Sequence, residues 1–222
     1  MINNAALHKN RSQVVKLLLV DDHAIVREGL KRILDSEPGM LVSGEASNSF
    51  EAIQQVRSSH FDVVLLDIAL PGKSGLDVLK LIKTEKPHTR VLVLSMFPED
   101  QYAVRVLKAG AAGYLAKESA PRDLVKAIRK VADGGTYVSL SLAERLAGDL
   151  AQPSGALHET LSDREFTVLR MIASGKSPTQ IADEMQLSIK TISTYRSRIL
   201  VKMNLQNNSE LTHYALKNNI IL

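Results

Sequence analysis

Five side chains able to handle a phosphoryl group sit at the ends of apolar runs in this sequence: the acid pair Asp21-Asp22, the lone Asp67, the hydroxyl of Ser95 and the ammonium of Lys117. Asp67 closes the run Val63-Val64-Leu65-Leu66 and is followed by Pro71-Gly72. Taken alone, an acid there reads better as a cap for the following turn. Taken together, the three carboxylates repel unless one is protonated or a hard divalent cation lies between them. Mg²⁺ (or Mn²⁺) suits such a site, because it keeps positions open for phosphate oxygens. The expected ligands are Asp21 through water, Asp22, Asp67 and the Ala69 carbonyl. Lys117 supplies the point charge that balances a transferred phosphoryl group, and Ser95 offers a hydroxyl. Metal and lysine beside one rim carboxylate favour nucleophilic attack by Asp67 on phosphorus, giving an aspartyl phosphate.

These residues converge only if a particular scaffold holds them. From Val14 to Asp133 strand-like and helix-like segments alternate, the rhythm of a parallel sheet. Strands are predicted at Val15–Val20, Met40–Ala46, Val63–Leu66, Arg90–Ser95 and Gly113–Ala116. The helices between and after them are predicted at Ala24–Ser36, Ser49–Ser59, Gly75–Lys86, Pro98–Ala109 and Pro121–Asp133. The fold expected is an α/β flavodoxin-like five-stranded parallel sheet of order 2-1-3-4-5, whose strand ends meet at one crevice.

A chain of 222 residues accommodates two domains. The division expected is 14–135 for the sheet domain, 136–157 for a linker ending in Gln152-Pro153-Ser154-Gly155, and 158–222 for the rest. One short helical pattern, Leu142–Leu150, lies in the linker. There is no cysteine, so disulfides and cysteine-held metals are excluded. The apolar run from Val14 to Val20 is broken by Lys16 and ends at Asp21, too short and too charged for a signal peptide or a membrane span. A cytoplasmic protein without membrane contact is expected.

The C-terminal part is wholly helical in pattern. Ser162-Asp163-Arg164-Glu165 and Ser177-Pro178-Thr179-Gln180 are capping boxes. A short helix at Pro178–Met185, a turn at Gln186-Leu187-Ser188 and a longer helix at Ile189–Met203 form a helix-turn-helix, followed by a last helix at Ser209–Asn218. A generic four-helix bundle is the plain alternative. No acid occurs between Glu184 and Glu210, whereas Lys190, Arg196, Arg198 and Lys202 all fall there, an electrostatic footprint for phosphate. Projected at about 100° per residue, Ile192, Ile199 and Met203 point inward, and Ser193, Thr194, Ser197 and Val201 outward with Arg198 at the flank. Outward residues near the N-terminus of such a helix reach base edges. Thr191, Ser193, Thr194 and Ser197 are therefore candidate readers, and Lys190, Arg198 and Lys202 candidate phosphate contacts, although each cation also reads as part of a solvated face. Leu211, Tyr214 and Ala215 of the last helix suit either core packing or a two-fold dimer contact; a homodimer on DNA is expected, since so small a module gains affinity from two half-sites.

The acid pair, single Asp, hydroxyl and Lys, in this order from Val14 to about Asp133, resemble the receiver domains of two-component response regulators. The resemblance implies a sensor histidine kinase as phosphoryl donor. It also implies that Ser95 moves toward the phosphoryl group and Tyr114 swings inward, altering the face made by the fourth helix, fifth strand and fifth helix. Tyr114 by itself reads equally as an ordinary strand aromatic, and Glu118 stands where many receivers have Pro. Leu161-Ser162-Asp163-Arg164-Glu165-Phe166, Ile172-Ala173-Ser174-Gly175, Gln180-Ile181-Ala182 and Lys190-Thr191-Ile192 resemble the LuxR-type helix-turn-helix. The two together resemble the NarL/FixJ class, and Ser193-Thr194-Tyr195-Arg196 with Glu210-Leu211-Thr212-His213 its GacA/UvrY branch. This class often has Lys at the position of Ser193 and His at that of Tyr195. The function implied is a phosphorylation-controlled regulator of promoter DNA, catalysing only its own phosphoryl transfer and dephosphorylation. A phosphatase of the haloacid dehalogenase type would need a second acid where Ala69 stands. A binding module that no longer takes phosphate is the other rival.

Overall fold

The computed structural model describes residues 14–70, 74–96, 99–140, 142–144, 156–218 and 220–221, without the side chains of 99–101. The turn expected at Pro71-Gly72, the helix start at Pro98 and the linker helix beyond residue 144 lie outside the described residues. Five strands, β1 (Val15–Val20), β2 (Met40–Ala46), β3 (Val63–Asp67), β4 (Arg90–Ser95) and β5 (Gly113–Ala116), pair in parallel in the order 2-1-3-4-5. Side chains alternate across each strand. Leu17, Leu19, Leu65, Leu92 and Leu94 face α1 (Ala24–Asp35) and α5 (Ala120–Ala132). Leu18, Val20, Val64, Leu66 and Val93 face α2 (Ser49–Ser58), α3 (Gly75–Glu85) and α4 (Glu99–Lys108). Covered on both faces, β3 is buried at every position, which explains its unbroken apolar run.

Register brings the site residues together. Val20 pairs with Leu66, Asp67 with Leu94 and Ser95 with Ala116, so the residues just beyond β1 and β5 meet the ends of β3 and β4. Gly75 fixes the return path of the chain. A Cβ there would lie 2.3 Å from the Asp67 carbonyl oxygen and 2.6 Å from Ile68 Cα, so only glycine lets α3 begin against the backbone that carries Asp67.

The segment assigned to the linker begins as part of the sheet. The Tyr114 N–H donates to the Tyr137 carbonyl at 3.1 Å and the Tyr137 N–H to the Ala112 carbonyl at 2.9 Å, covering the open edge of β5. Gly113 is needed for that approach, since a Cβ would stand 2.7 Å from the Tyr137 carbonyl oxygen.

The C-terminal domain comprises α6 (Asp163–Ala173), α7 (Pro178–Met185), α8 (Ile189–Lys202) and α9 (Asn208–Lys217). Both capping boxes form, Ser162 with Glu165 and Ser177 with Gln180, while Ser188 and Asn207 cap α8 and α9. Gln186, in the left-handed region at φ 52°, turns the chain between α7 and α8.

Candidate functional site

Three strand ends deliver a compact ionic cluster. Lys117 Nζ lies 2.7 Å from Asp67 Oδ2 and 2.6 Å from Asp21 Oδ2, with all three side chains almost wholly buried. Asp67 Oδ1 accepts the Ala69 N–H at 3.0 Å, and Asp21 Oδ1 accepts the His23 N–H at 2.9 Å. Arg27 Nη1 donates to the Asp21 carbonyl at 2.6 Å, holding the loop that follows β1. Ser95 is completely buried at the end of β4. Burial raises the Asp67 pKa above the usual carboxylate value, against the opposing pull of Lys117 and the Ala69 N–H. For Lys117 burial works against the charge, but Asp67 and Asp21 outweigh it and hold the pKa above normal. The result is a carboxylate made more basic by burial beside an ammonium whose charged form its two partners favour.

The acids fit a divalent cation. Asp22 Oδ1 is buried and accepts no hydrogen bond among the described residues, and Asp21 Oδ2 meets only the Lys117 ammonium. A buried oxygen without a donor is costly, and a cation would satisfy Asp22 Oδ1. Asp21, Asp22, His23 and Asp67 each offer one ligand atom, all within 4.8 Å of one another. Tyr114 already points inward, 1 % exposed, so an inward swing is not needed to bring its ring inside.

A second set of contacts joins the domains, which the sequence did not reveal. Tyr102 Oη and Thr167 Oγ1 are 2.6 Å apart. The Arg105 guanidinium donates to the carbonyls of His158 (2.5 Å) and Leu161 (3.1 Å) and to Asp163 Oδ1 (3.2 Å), while lying 4.1 Å from the Phe166 ring centroid. Asp163 also pairs with Lys80 of α3 at 2.9 Å. Arg170 stands over the Tyr102 ring at 5.0 Å, and Tyr102 meets Phe166 edge to face. A cavity between the domains is lined by Asp22, Ala69 and Leu76 on one side and Arg164, Met171 and Met185 on the other.

On α8 the helical projection holds. Ile192, Ile199 and Met203 are buried, and Lys190, Ser193, Thr194, Ser197, Arg198 and Val201 are exposed. Thr194 donates to the Lys190 carbonyl and Ser197 to the Ser193 carbonyl, so in these rotamers both hydroxyl oxygens face outward as acceptors. Two of the candidates have structural partners instead. The Thr191 hydroxyl lies 2.8 Å from Ser188 Oγ within the α8 cap, and Lys202 Nζ pairs at 2.7 Å with the buried Glu165 carboxylate. Leu211 and Ala215 correct the dimer expectation: both are fully buried, because their four-residue spacing turns them toward the core that α9 shares with α6. Tyr214 is half-buried, its hydroxyl 3.0 Å from the His158 ring nitrogen Nδ1.

A parallel 2-1-3-4-5 sheet with an acid and lysine cluster at its carboxyl edge, joined to a capped helix-turn-helix, defines a receiver linked to a DNA-binding module. The response regulator receiver model matches residues 17–129, and that of the bacterial regulatory proteins of the luxR family matches residues 159–215. The chain belongs to the two-component response regulators of the NarL/FixJ class. It is 36% identical over 209 residues to the response regulator UvrY of Escherichia coli K12, covering 93% of this chain and 96% of that one. It is likewise 36% identical over 216 residues to the oxygen regulatory protein NreC of Staphylococcus epidermidis, covering 93% and 99%. Among solved structures, Salmonella enterica serovar Typhimurium RcsB bound to promoter rprA with phosphomimetic BeF3⁻ superposes with a TM-score of 0.61 at 29% identity, over 90% of this chain and 97% of that one. Among the described residues no helix is long and apolar enough to cross a membrane.

Proposed function

We propose that Asp67 is the phosphoryl acceptor and that its phosphorylation frees the C-terminal domain to bind promoter DNA as a homodimer. The Lys117 bridge between Asp67 and Asp21 carries this reading, because it holds one basic carboxylate beside a fixed cation at the open edge of the sheet. Asp67 attacks the phosphorus of a phosphohistidine on a sensor histidine kinase; the P–N bond breaks and an acyl phosphate forms. Asp22 and Asp67, the Ala69 carbonyl and, through water, Asp21 would hold Mg²⁺, which when bound neutralises charge on the phosphoryl oxygens. Lys117 leaves its pairing with the Asp67 oxygen that reacts and turns to the phosphoryl group, and the Ser95 hydroxyl follows. The regulator catalyses only this transfer and its own dephosphorylation.

The signal reaches DNA through α4, whose Tyr102 and Arg105 grip the C-terminal domain. A shift of α4 toward the phosphorylated site breaks that grip. Arg198 and Lys190 then contact phosphates, while Ser193, Thr194 and Ser197 face base edges. Transfer from a labelled kinase tests the first step: Asp67→Asn is expected to abolish acid-labile labelling and the accompanying gain in promoter affinity. Undiminished labelling of that variant would move the acceptor elsewhere.

A further inference from the structure

The cavity between the domains has a volume of about 140 Å³, close to the roughly 150 Å³ that admits one benzene ring. Apolar side chains from both sides wall it: Ile68, Leu70 and Leu76 from the receiver, Met171 and Met185 from the C-terminal domain. Methionine adapts its shape to an inserted ring and makes favourable sulfur–aromatic contacts. Three acids also line the cavity, but two of them are neutralised. Asp163 pairs with Lys80 at 2.9 Å and with Arg105 at 3.2 Å, and Glu184 pairs with Lys176 at 2.5 Å. The third, Asp22, belongs to the acid pocket at the end of β1. Arg164 is the cation of the lining, half-buried in the first turn of α6. Among the described residues its guanidinium forms no hydrogen bond and no ion pair. A half-buried guanidinium without an acceptor favours an anion, and a carboxylate matches its planar fork.

We propose that this cavity binds a small aromatic carboxylate, its ring between Leu76 and Met185 and its carboxylate on Arg164, and that the bound molecule holds the domains together. Apolar walls with a few placed polar groups are the usual make-up of a small-molecule site. Because the two walls belong to different domains, the complete site exists only in the joined state, and the ligand shifts the population toward that state. The consequence for DNA rests on the proposed function, in which the joined state restrains DNA binding. There the ligand lowers promoter affinity, and by reciprocity promoter DNA lowers affinity for the ligand.

Fluorine NMR titration of the unphosphorylated full chain with para-fluorobenzoate, para-fluorobenzamide and para-fluorobenzylamine tests the site. A ligand so small is expected to bind with a Kd on the order of 1 mM, and the amide and amine far more weakly. Arg164→Gln, melting at the parent temperature, is expected to lose roughly tenfold in affinity for the carboxylate. In a methyl-labelled chain the ligand ring should give nuclear Overhauser contacts to both Leu76 and Met185. Amine bound as tightly as carboxylate, equal carboxylate binding by Arg164→Gln, or contacts to the methyl groups of one domain alone would overturn the proposal. With para-fluorobenzoate at about ten times its Kd, promoter affinity measured by anisotropy is expected to fall several-fold. Arg164-dependent binding in contact with both walls, without that fall, would leave the site standing and sink the reading that the joined state restrains DNA binding.

Discussion

At the scale of single residues, the cost of burying Asp67 as a carboxylate has a sign that can be followed. Its pKa in the folded chain is raised by burial, so the unfolded chain ionises first as pH rises. Folding stability attributable to this group is therefore highest in acid and falls through the interval from the ordinary carboxylate pKa to the raised folded one. Asp67→Asn removes that cost while Lys117 keeps Asp21 as a partner. Melted in the presence of a chelator at neutral pH, the variant is expected to unfold roughly 2–4 °C above the parent, the shift that about 1 kcal/mol produces in a chain of this size. The gain shrinks toward zero as pH is lowered below the ordinary carboxylate range. A constant difference across that range, followed by calorimetry, would place the effect elsewhere. Glu165 has the opposite sign. Burial pushes its pKa up, but Lys202 and the Ser162 donors prevail and hold it below normal, so its contribution is present at neutral pH and lost in acid as pH falls through that depressed value.

At the scale of elements, the division proposed for α8 between positioning and reading residues makes two different expectations. Arg198 is exposed, so Arg198→Ala should weaken specific and random duplexes alike and reduce the salt dependence by about one unit. Thr194→Ala should change preference among half-sites by roughly 1–3 kcal/mol and leave the salt slope nearly unchanged. Competition binding at several salt concentrations distinguishes the two, and a uniform loss on Thr194→Ala would mean that the helix docks by another face. Lys202→Ala should lower the melting temperature instead, because it unpairs the buried Glu165. Much of this was legible from sequence. The inward set Ile192, Ile199 and Met203 follows from helical period alone, the strands from apolar runs, and both capping boxes from four-residue patterns. What escaped depends on contacts distant in sequence. Tyr102 fits the apolar stripe of α4 and does pack inward, yet what covers it is Phe166 and Thr167 of the other domain. Arg105 looks like any helix cation, and nothing local marks Tyr137 as the partner of β5. Gly75 opens the helix predicted at Gly75–Lys86, but its steric role appears only once α3 is laid against the Asp67 backbone.

At the scale of the whole molecule, the proposed function makes the grip of α4 on the C-terminal domain the tie between two equilibria. Arg105 binds three acceptors with one planar fork, in a partly buried setting where charge-assisted hydrogen bonds count for about 1.5–3 kcal/mol. Lys190, Ser193, Thr194, Ser197 and Arg198 are exposed while the domains are joined, so under the proposed function the joined state would limit DNA binding by holding the domain in place and not by covering these residues. Removing the fork by Arg105→Ala leaves Asp163 with Lys80 and leaves the Tyr102 ring in its pocket. The open state then gains about 2 kcal/mol, roughly thirtyfold. Unphosphorylated Arg105→Ala is expected to bind promoter DNA with much of the affinity of the phosphorylated parent, and Tyr102→Phe, which keeps the ring and loses only the hydroxyl, to show a smaller rise. Coupling is reciprocal. If phosphorylation opens the domains, opening them must favour phosphorylation, so Arg105→Ala should also hold a larger phosphorylated fraction at a given level of phosphoryl donor. DNA affinity by anisotropy and phosphorylated fraction by Phos-tag electrophoresis read the two sides. A variant with raised DNA affinity and unchanged phosphorylated fraction would show that the contact restrains the C-terminal domain without being linked to Asp67.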